Sequence, residues 1–208
     1  MPALQIIGMP QSTYVRTSRL TAHEKGVDYD LVVEMPYSDA VSAIHPFGRV
    51  PVMRHGDVEL FESKAINTYI DRAFDGPALI PADPAGQARM EQWVSVINTV
   101  IDPLLIRRYL FAYIFPKGAD GKPDRAAIDE CLEDLDRQIG VLDAALGKSD
   151  YLAGDTLTLA DLNLVPIVHY LMATPEGGEK IKAAKNLSAW FDRMSGRDSV
   201  KATIPPAA

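Results

Sequence analysis

The spacing of apolar residues changes character along this chain. Up to residue 74, short apolar runs alternate with helical stripes, and from Ala85 onward the pattern is helical. Leu4–Ile7 is an apolar run closed by Gly8 and Pro10, as in a buried strand. Ser12 or Thr13 can cap a helix that runs to Lys25 and stops at Gly26. Tyr29 to Glu34 reads as a second strand, with Leu31 and Val33 facing one side and Val32 the other. Residues 35–48 are irregular apart from one helical turn near Ala40. Val52–Arg54 and Glu59–Phe61 flank His55-Gly56-Asp57 as a hairpin. Glu62 to Phe74 is helical, with Ala65, Ile66, Tyr69, Ile70 and Ala73 forming one apolar stripe. This order predicts a small α/β unit built on a mixed four-stranded sheet.

Asp75-Gly76-Pro77 and Pro81-Ala82-Asp83-Pro84 punctuate the chain and mark a linker between domains at residues 1–78 and 85–208. The second domain reads as all-helical. A long helix spans Ala85–Phe115 and bends near Pro103, which has no N–H to give. Lys117–Pro123 is a polar loop and Asp124–Leu146 a second helix. A third helix begins at Leu159 and a fourth covers Glu179–Met194. Thr158-Leu159-Ala160-Asp161 is a capping box with aspartate in the glutamate position. The tail after Val200 has too little apolar surface to bury, and no internal repeat is present.

Composition narrows the function. A net charge of −7 argues against a general nucleic-acid binder, which needs a concentrated basic surface. A single cysteine, Cys131, rules out an internal disulfide and a cysteine-rich metal site. The N-terminus lacks a basic region followed by an apolar core, and no apolar stretch is long enough to span a bilayer, so the expectation is a soluble cytoplasmic protein.

Three short segments carry candidate chemistry. The loop Gly8-Met9-Pro10-Gln11-Ser12-Thr13-Tyr14-Val15-Arg16 joins a strand to a helix N-terminus and holds hydroxyls but no cysteine, which excludes thiol–disulfide exchange at that turn. A hydroxyl there can donate to a thiolate brought by a ligand, and the positive end of the helix adds to that stabilisation. Val50-Pro51 opens an apolar run; a cis bond at this point leaves neighbouring backbone groups free. Glu62-Ser63 opens a helix whose first-turn N–H groups can receive an anion. Ser12, Glu62 and Ser63 also serve as ordinary helix caps, so each has a structural reading beside the chemical one.

Together, His45-Pro46-Phe47-Gly48-Arg49-Val50-Pro51 and Glu62-Ser63-Lys64-Ala65-Ile66 resemble the glutathione-binding domain of the glutathione transferases, whose fold is thioredoxin-like. The first loop, with His23-Glu24-Lys25 downstream, resembles the serine-type transferases and especially the plant phi group; the Thr158–Asp161 box is similar to that of the family's helical domain. The resemblance implies that Ser12 activates the glutathione thiol, with Thr13 and Tyr14 as rivals for that role or lining for the second substrate. It implies that Arg49, Val50, Pro51, Glu62, Ser63 and His45 bind glutathione as co-substrate, with no metal. Arg49 stands where phi enzymes carry glutamine, His45 replaces the family's asparagine, and Pro36-Tyr37-Ser38-Asp39 lacks their His and Lys. Arg107, Arg108 and Phe111, with Tyr109, Tyr113 and Phe115, are the candidates to meet a hydrophobic electrophile, and Arg16 can face ligand or solvent. The resemblance further implies a homodimer with Arg72 near its contact, and a role in detoxification. Two alternatives stay open: a glutathione-dependent dehalogenase, ether-cleaving enzyme or peroxidase, and a non-catalytic binding or regulatory module of the same fold.

Overall fold

The computed structural model describes residues 3–115, 118 and 121–206. Lys117 and residues 119–120 of the predicted polar loop lie outside the described residues, as do the outermost residues of both predicted domains. The chain forms two compact units, Met1–Pro81 with Ser195–Ala208, and Ala82–Met194.

The first unit contains β1 (Leu4–Ile7), α1 (Thr13–Glu24), β2 (Tyr29–Val32), α2 (Asp39–Ser42), β3 (Val52–His55), β4 (Val58–Phe61) and α3 (Ser63–Ala73). The four strands lie in the order β2-β1-β3-β4, with β2 parallel to β1 and the other two pairings antiparallel. This is the mixed sheet that the element order predicts. Alternation along the strands builds a core on each face. Leu4, Ile6 and Met53 pack with Val15, Ile66 and Ile70 on one side, and Ile7 and Val52 pack with Val41 on the other. The hairpin turn is Gly56-Asp57, one residue shorter than predicted, since His55 pairs with Val58. β2 ends at Val32, and Val33 is exposed.

The buried stripe of α3 differs from the apolar one. Ser63, Ile66, Asn67, Ile70 and Asp71 face inward, while Ala65 and Ala73 are exposed. Asp71 turns the helix this way: it accepts from the Leu79 N–H at 2.8 Å and pairs with Lys25 at 3.4 Å, both buried.

In the second unit, the predicted long helix is α4 (Pro84–Val96), a π-helical segment (Ile97–Ile101), α5 (Asp102–Leu104), a second π-helical segment (Leu105–Leu110) and α6 (Phe111–Ile114). The wide turns flank Pro103, whose ring and missing N–H are incompatible with regular helical bonding. α7 (Arg125–Asp129) and α8 (Leu132–Leu146) replace the single helix expected over Asp124–Leu146. α9 (Leu159–Leu171) is central and buried along almost its whole length. The helix predicted over Glu179–Met194 is two, α10 (Pro175–Ala183) and α11 (Lys185–Ser195). Asp143 of α8 causes the break: its Oδ1 accepts from the N–H groups of Asn186 (2.7 Å) and Leu187 (3.0 Å), and so caps a new helix start.

The capping box forms as expected, with the Thr158 N–H donating to Asp161 Oδ2 at 3.0 Å. Asp161 does more than cap. Its carboxylate is fully buried and also accepts from the Leu152 N–H (3.0 Å) and Trp190 Nε1 (3.2 Å), so it ties α9 to the preceding loop and to α11. Burial pushes this carboxyl above its ordinary value, and the surrounding donors hold that rise back.

The tail is not idle. α12 (Asp198–Ala202) joins the first unit rather than the helical one, and Val200 and Thr203 are buried. Its apolar surface is small, as the sequence indicates, but polar contacts with α1 hold it. Among the described residues no helix is long and apolar enough to cross a membrane.

Candidate functional site

The sheet register gathers the three candidate segments. Ile7 of β1 pairs with Val52 of β3, and Val52 pairs with Phe61 of β4, so these residues form one row across the sheet. Each segment lies one step beyond that row. Gly8 to Ser12 follows Ile7, Val50-Pro51 precedes Val52, and Glu62-Ser63 follows Phe61. Segments 12 to about 50 positions apart in sequence therefore lie at one end of the sheet. Gly8 keeps them close. Its φ is +149°, and a Cβ there would lie 2.7 Å from Val15 Cγ2 and 2.9 Å from Val50 Cβ. Any other residue would push the first turn of α1 and Val50 away from this loop.

Ser12 is the N-cap of α1, with φ −66° and ψ 128°. Its Oγ accepts from the Val15 N–H at 3.4 Å, and no described acceptor takes its hydroxyl proton. The hydroxyl is thus held at the positive end of a twelve-residue helix with a donor to spare. Thr13 is buried, and Tyr14 is half-buried on the first turn. Arg16, on the same turn, reaches the other way. It is 1% exposed and points to the C-terminal segment, donating to Thr203 Oγ1 and the Val200 carbonyl.

The Val50–Pro51 bond is cis. Val50 lies outside the ladder, and among the described residues neither its N–H nor its C=O pairs with another group. Arg49 is exposed, with no ion pair among the described residues. At α3 no side chain caps the helix, and the N–H groups of Ser63 and Ala65 and the Ser63 hydroxyl have no partner among the described residues. These are unsatisfied first-turn donors in a partly enclosed place, suited to a carboxylate.

Glu62 adds a feature that no spacing pattern reveals. Its φ is +69°, a left-handed conformation that costs a non-glycine residue about 1–3 kcal/mol and recurs at functional sites. Its side chain is 67% exposed, with Oε1 3.6 Å from Nε2 of the buried His45. His45 Nδ1 accepts from the Phe47 N–H at 3.1 Å, and its ring lies 4.7 Å from that of Phe61. The Nδ1 contact ties the imidazole into the 45–48 turn, while Nε2 lies beside the Glu62 carboxylate, beyond hydrogen-bond distance. Sequence reading singles out His45 but cannot see this placement.

The candidates in the helical unit separate. Arg107 donates to Asp102 Oδ2 at 2.9 Å and lies 5.2 Å over the Phe111 ring, which is edge-on to Phe115. Arg108 turns instead toward Glu130, at 3.8 Å. Tyr109, which is buried, and Tyr113, which is half-buried, both turn to α10. Both hydroxyls bond Glu176 of α10, Tyr109 at 2.9 Å, and Arg125 bonds the same carboxylate. Burial of Glu176 works against its ionisation, but the Tyr113 and Arg125 bonds win and hold its carboxyl down to about 2. A depressed folded-state value stabilises the fold above the ordinary carboxyl range and loses that contribution as pH falls toward 2. Thermal melts from pH 6 to pH 2 are expected to show this acid loss in the natural protein. The Glu176→Gln variant is expected to melt lower at pH 6 and to show a flatter acid limb.

Residues 6–78 match the family model of the glutathione S-transferase N-terminal domain, and residues 104–198 that of the glutathione S-transferase C-terminal domain. A glutathione S-transferase of Arabidopsis thaliana is 36% identical over 192 residues, covering 88% of this chain and 87% of its own. Glutathione S-transferase 3 of Zea mays is 32% identical, covering 98% and 94%. Among solved structures, a glutathione transferase of Populus trichocarpa superposes with a TM-score of 0.87 at 30% identity, covering 97% of both chains. Glutathione S-transferase I from maize, in complex with an atrazine glutathione conjugate, gives 0.86 at 30%, covering 97% and 96%.

Proposed function

The chain belongs to the glutathione S-transferase family, and we propose that the site at the end of its sheet activates the thiol of glutathione for attack on an electrophilic small molecule. The observation that carries this reading is the Ser12 hydroxyl, whose proton no described group takes, at the N-terminus of α1. A free thiol has a pKa of about 8.5 and is mostly protonated at neutral pH. A hydrogen bond to the ionised form, with the helix dipole beside it, favours the thiolate. The thiol proton leaves to solvent; the sulfur pair then forms the bond to the electrophilic carbon, and the displaced group departs with its electrons. Thiolate stabilisation and proximity supply the rate.

The other groups hold the tripeptide. The N-terminus of α3 with Ser63 takes the γ-glutamyl carboxylate, and Glu62, beside His45, accepts from the γ-glutamyl ammonium. Val50 offers its backbone to the cysteinyl part, with Pro51 setting the bend. Arg49 reaches a further carboxylate as a charged fork. Residues 1–78 are thus the glutathione-binding domain. The helical domain takes the hydrophobic electrophile, with Arg107, Arg108 and Phe111 as its candidates; Tyr14 is better exposed for it than Thr13. The homodimer, with Arg72 near its contact, the cytoplasmic location and the detoxifying role belong to the same reading.

The test is a pH titration of thiolate absorbance with glutathione bound to the purified protein. The expected result is a bound thiol titrating at least one unit below its free value. Binding with an unshifted thiol would instead indicate a carrier or sensor, and no binding would remove the enzyme reading.

A further inference from the structure

Helix α1 is buried along most of its length, yet most of its buried side chains are polar: Arg16, Thr17, Ser18, Arg19 and Thr21 stand beside Val15, Leu20 and Ala22. Apolar packing tolerates sliding and rotation better than directional hydrogen bonds do. Thr17 and Thr21 satisfy their hydroxyls within α1, on the Thr13 and Thr17 carbonyls, so it is the two arginines that carry directional bonds out of the helix, and the surface they share is α12. Arg16 donates from Nε to Thr203 Oγ1 (3.4 Å) and from Nη2 to the Val200 carbonyl (3.3 Å). Arg19 donates from Nη2 to the Ala202 carbonyl at 3.3 Å, and from Nε to Tyr29 Oη at 2.9 Å. Two guanidinium groups thus meet the C-terminal carbonyls of α12, where the helix dipole favours positive charge.

Glu24, at the far end of α1, receives both arms of Arg197 (2.7 and 2.6 Å) and the Ser199 hydroxyl. Burial opposes ionisation of Glu24, but these donors hold its carboxyl below the usual range. The contacts run from Arg16 to Glu24, more than two turns of α1. At the other end, the Arg16 N–H donates to the Ser12 carbonyl at 2.9 Å, and the Val15 N–H to Ser12 Oγ. An unbroken chain of bonds leads from Thr203 through Arg16 to Ser12.

We propose that α12 is a brace that fixes α1 and that Arg16 is a positioning residue for Ser12, acting from beneath the first helical turn. This inference rests on the reading of Ser12 as the thiol-activating group. A hydroxyl displaced by a fraction of an ångström still caps the helix, but it donates poorly to a sulfur held by the rest of the site. The brace therefore governs thiolate stabilisation more than glutathione binding.

Full-length Arg16→Lys, Thr203→Val and Thr203→Ser variants test this, each made alone, with Thr203→Val also made in the Ser12→Ala protein. The readouts are the pKa of bound glutathione thiol, kcat and KM, with melting temperature measured separately. Arg16→Lys is expected to raise the bound thiol pKa by about one unit, a tenfold loss of thiolate at pH values below it. Thr203→Val is expected to raise it by about half a unit. In both, KM for glutathione stays within about twofold. Thr203→Ser keeps the hydroxyl and keeps the pKa. In the Ser12→Ala protein, Thr203→Val moves the pKa no further. A lower melting temperature with an unchanged thiol pKa in both brace variants would overturn the brace alone. An unchanged thiol pKa in Ser12→Ala itself would overturn the Ser12 reading and the brace with it. Should Arg16→Lys fail to accumulate as folded protein, Thr203→Val, which removes one hydroxyl, carries the same decision.

Discussion

Replacing Ser12 by alanine is expected to lower kcat for conjugation about 10- to 100-fold while KM for glutathione changes by no more than a few-fold. The estimate follows from a hydrogen bond to a charged acceptor, worth about 1.5–3 kcal/mol, at 1.36 kcal/mol per factor of ten. The bound thiol should return toward its free pKa of about 8.5, so the variant should recover activity as pH rises through that value. The same substitution removes the α1 N-cap, at a cost of about 1 kcal/mol. For a chain of this size that corresponds to a fall of about 2–4 °C in melting temperature. The two effects are separable, since a stability loss of this size leaves the protein folded at 25 °C. A Ser12→Ala protein with full kcat and the same lowered thiol pKa as the natural protein would leave Ser12 as a cap and nothing more, and would return attention to Tyr14 on the same turn.

The largest effect on stability is expected at Asp161, far in sequence from any proposed chemistry. Asp161→Ala removes a fully buried carboxylate that accepts from the Leu152 N–H, the Thr158 N–H and hydroxyl, and Trp190 Nε1. The Leu152 and Trp190 donors stay buried without a partner, each at about 1–3 kcal/mol, and the α9 cap is lost as well. A total of about 3–5 kcal/mol follows, a decrease of about 10 °C in melting temperature or failure to accumulate as folded protein. Asp161→Asn keeps the shape and one acceptor oxygen but points an NH2 group at donors, so its cost should fall between alanine and the natural residue. A loss below about 1 kcal/mol for alanine would mean that water enters and satisfies the freed donors.

Both predictions depend on serving several partners at once, and only part of that is written locally. Ser12 as an N-cap, the Thr158–Asp161 box and the Gly56-Asp57 turn all involve residues within a few positions of each other, so their chemistry is visible in short windows of sequence. Trp190 as a partner of Asp161 is not, because the two lie 29 positions apart. The same distinction separates the helix predictions that hold from those that do not. The α1 boundaries follow from a local cap and a local glycine. The division of α10 from α11 follows from Asp143, some forty positions upstream, and no feature near Ala184 announces it.

The candidate site divides likewise. The residue types at Ser12, Val50-Pro51 and Glu62-Ser63 carry the family resemblance, because each is written in a short window of sequence. Their meeting at one end of the sheet comes from the row Ile7, Val52 and Phe61, which is a matter of register. The left-handed backbone of Glu62 and its closeness to His45 are visible only in the folded chain. Tyr109 and Tyr113 stand among the substrate-contact candidates by composition, and only the structure shows their hydroxyls bonded to Glu176.

The sequence by itself determined the elements whose signals are short-ranged: the strands, the caps, the hairpin, and an α/β half followed by a helical half. These rest on periodicity and on hydrogen bonds that close within one turn. Tertiary structure alone decided that the last helix returns to α1, that the Arg16 guanidinium bonds the segment around that helix, and that a polar tail with little apolar surface is nonetheless held. The physical reason is that a buried guanidinium must find acceptors wherever the fold brings them. For Arg16 those acceptors lie more than 180 positions away, at Val200 and Thr203.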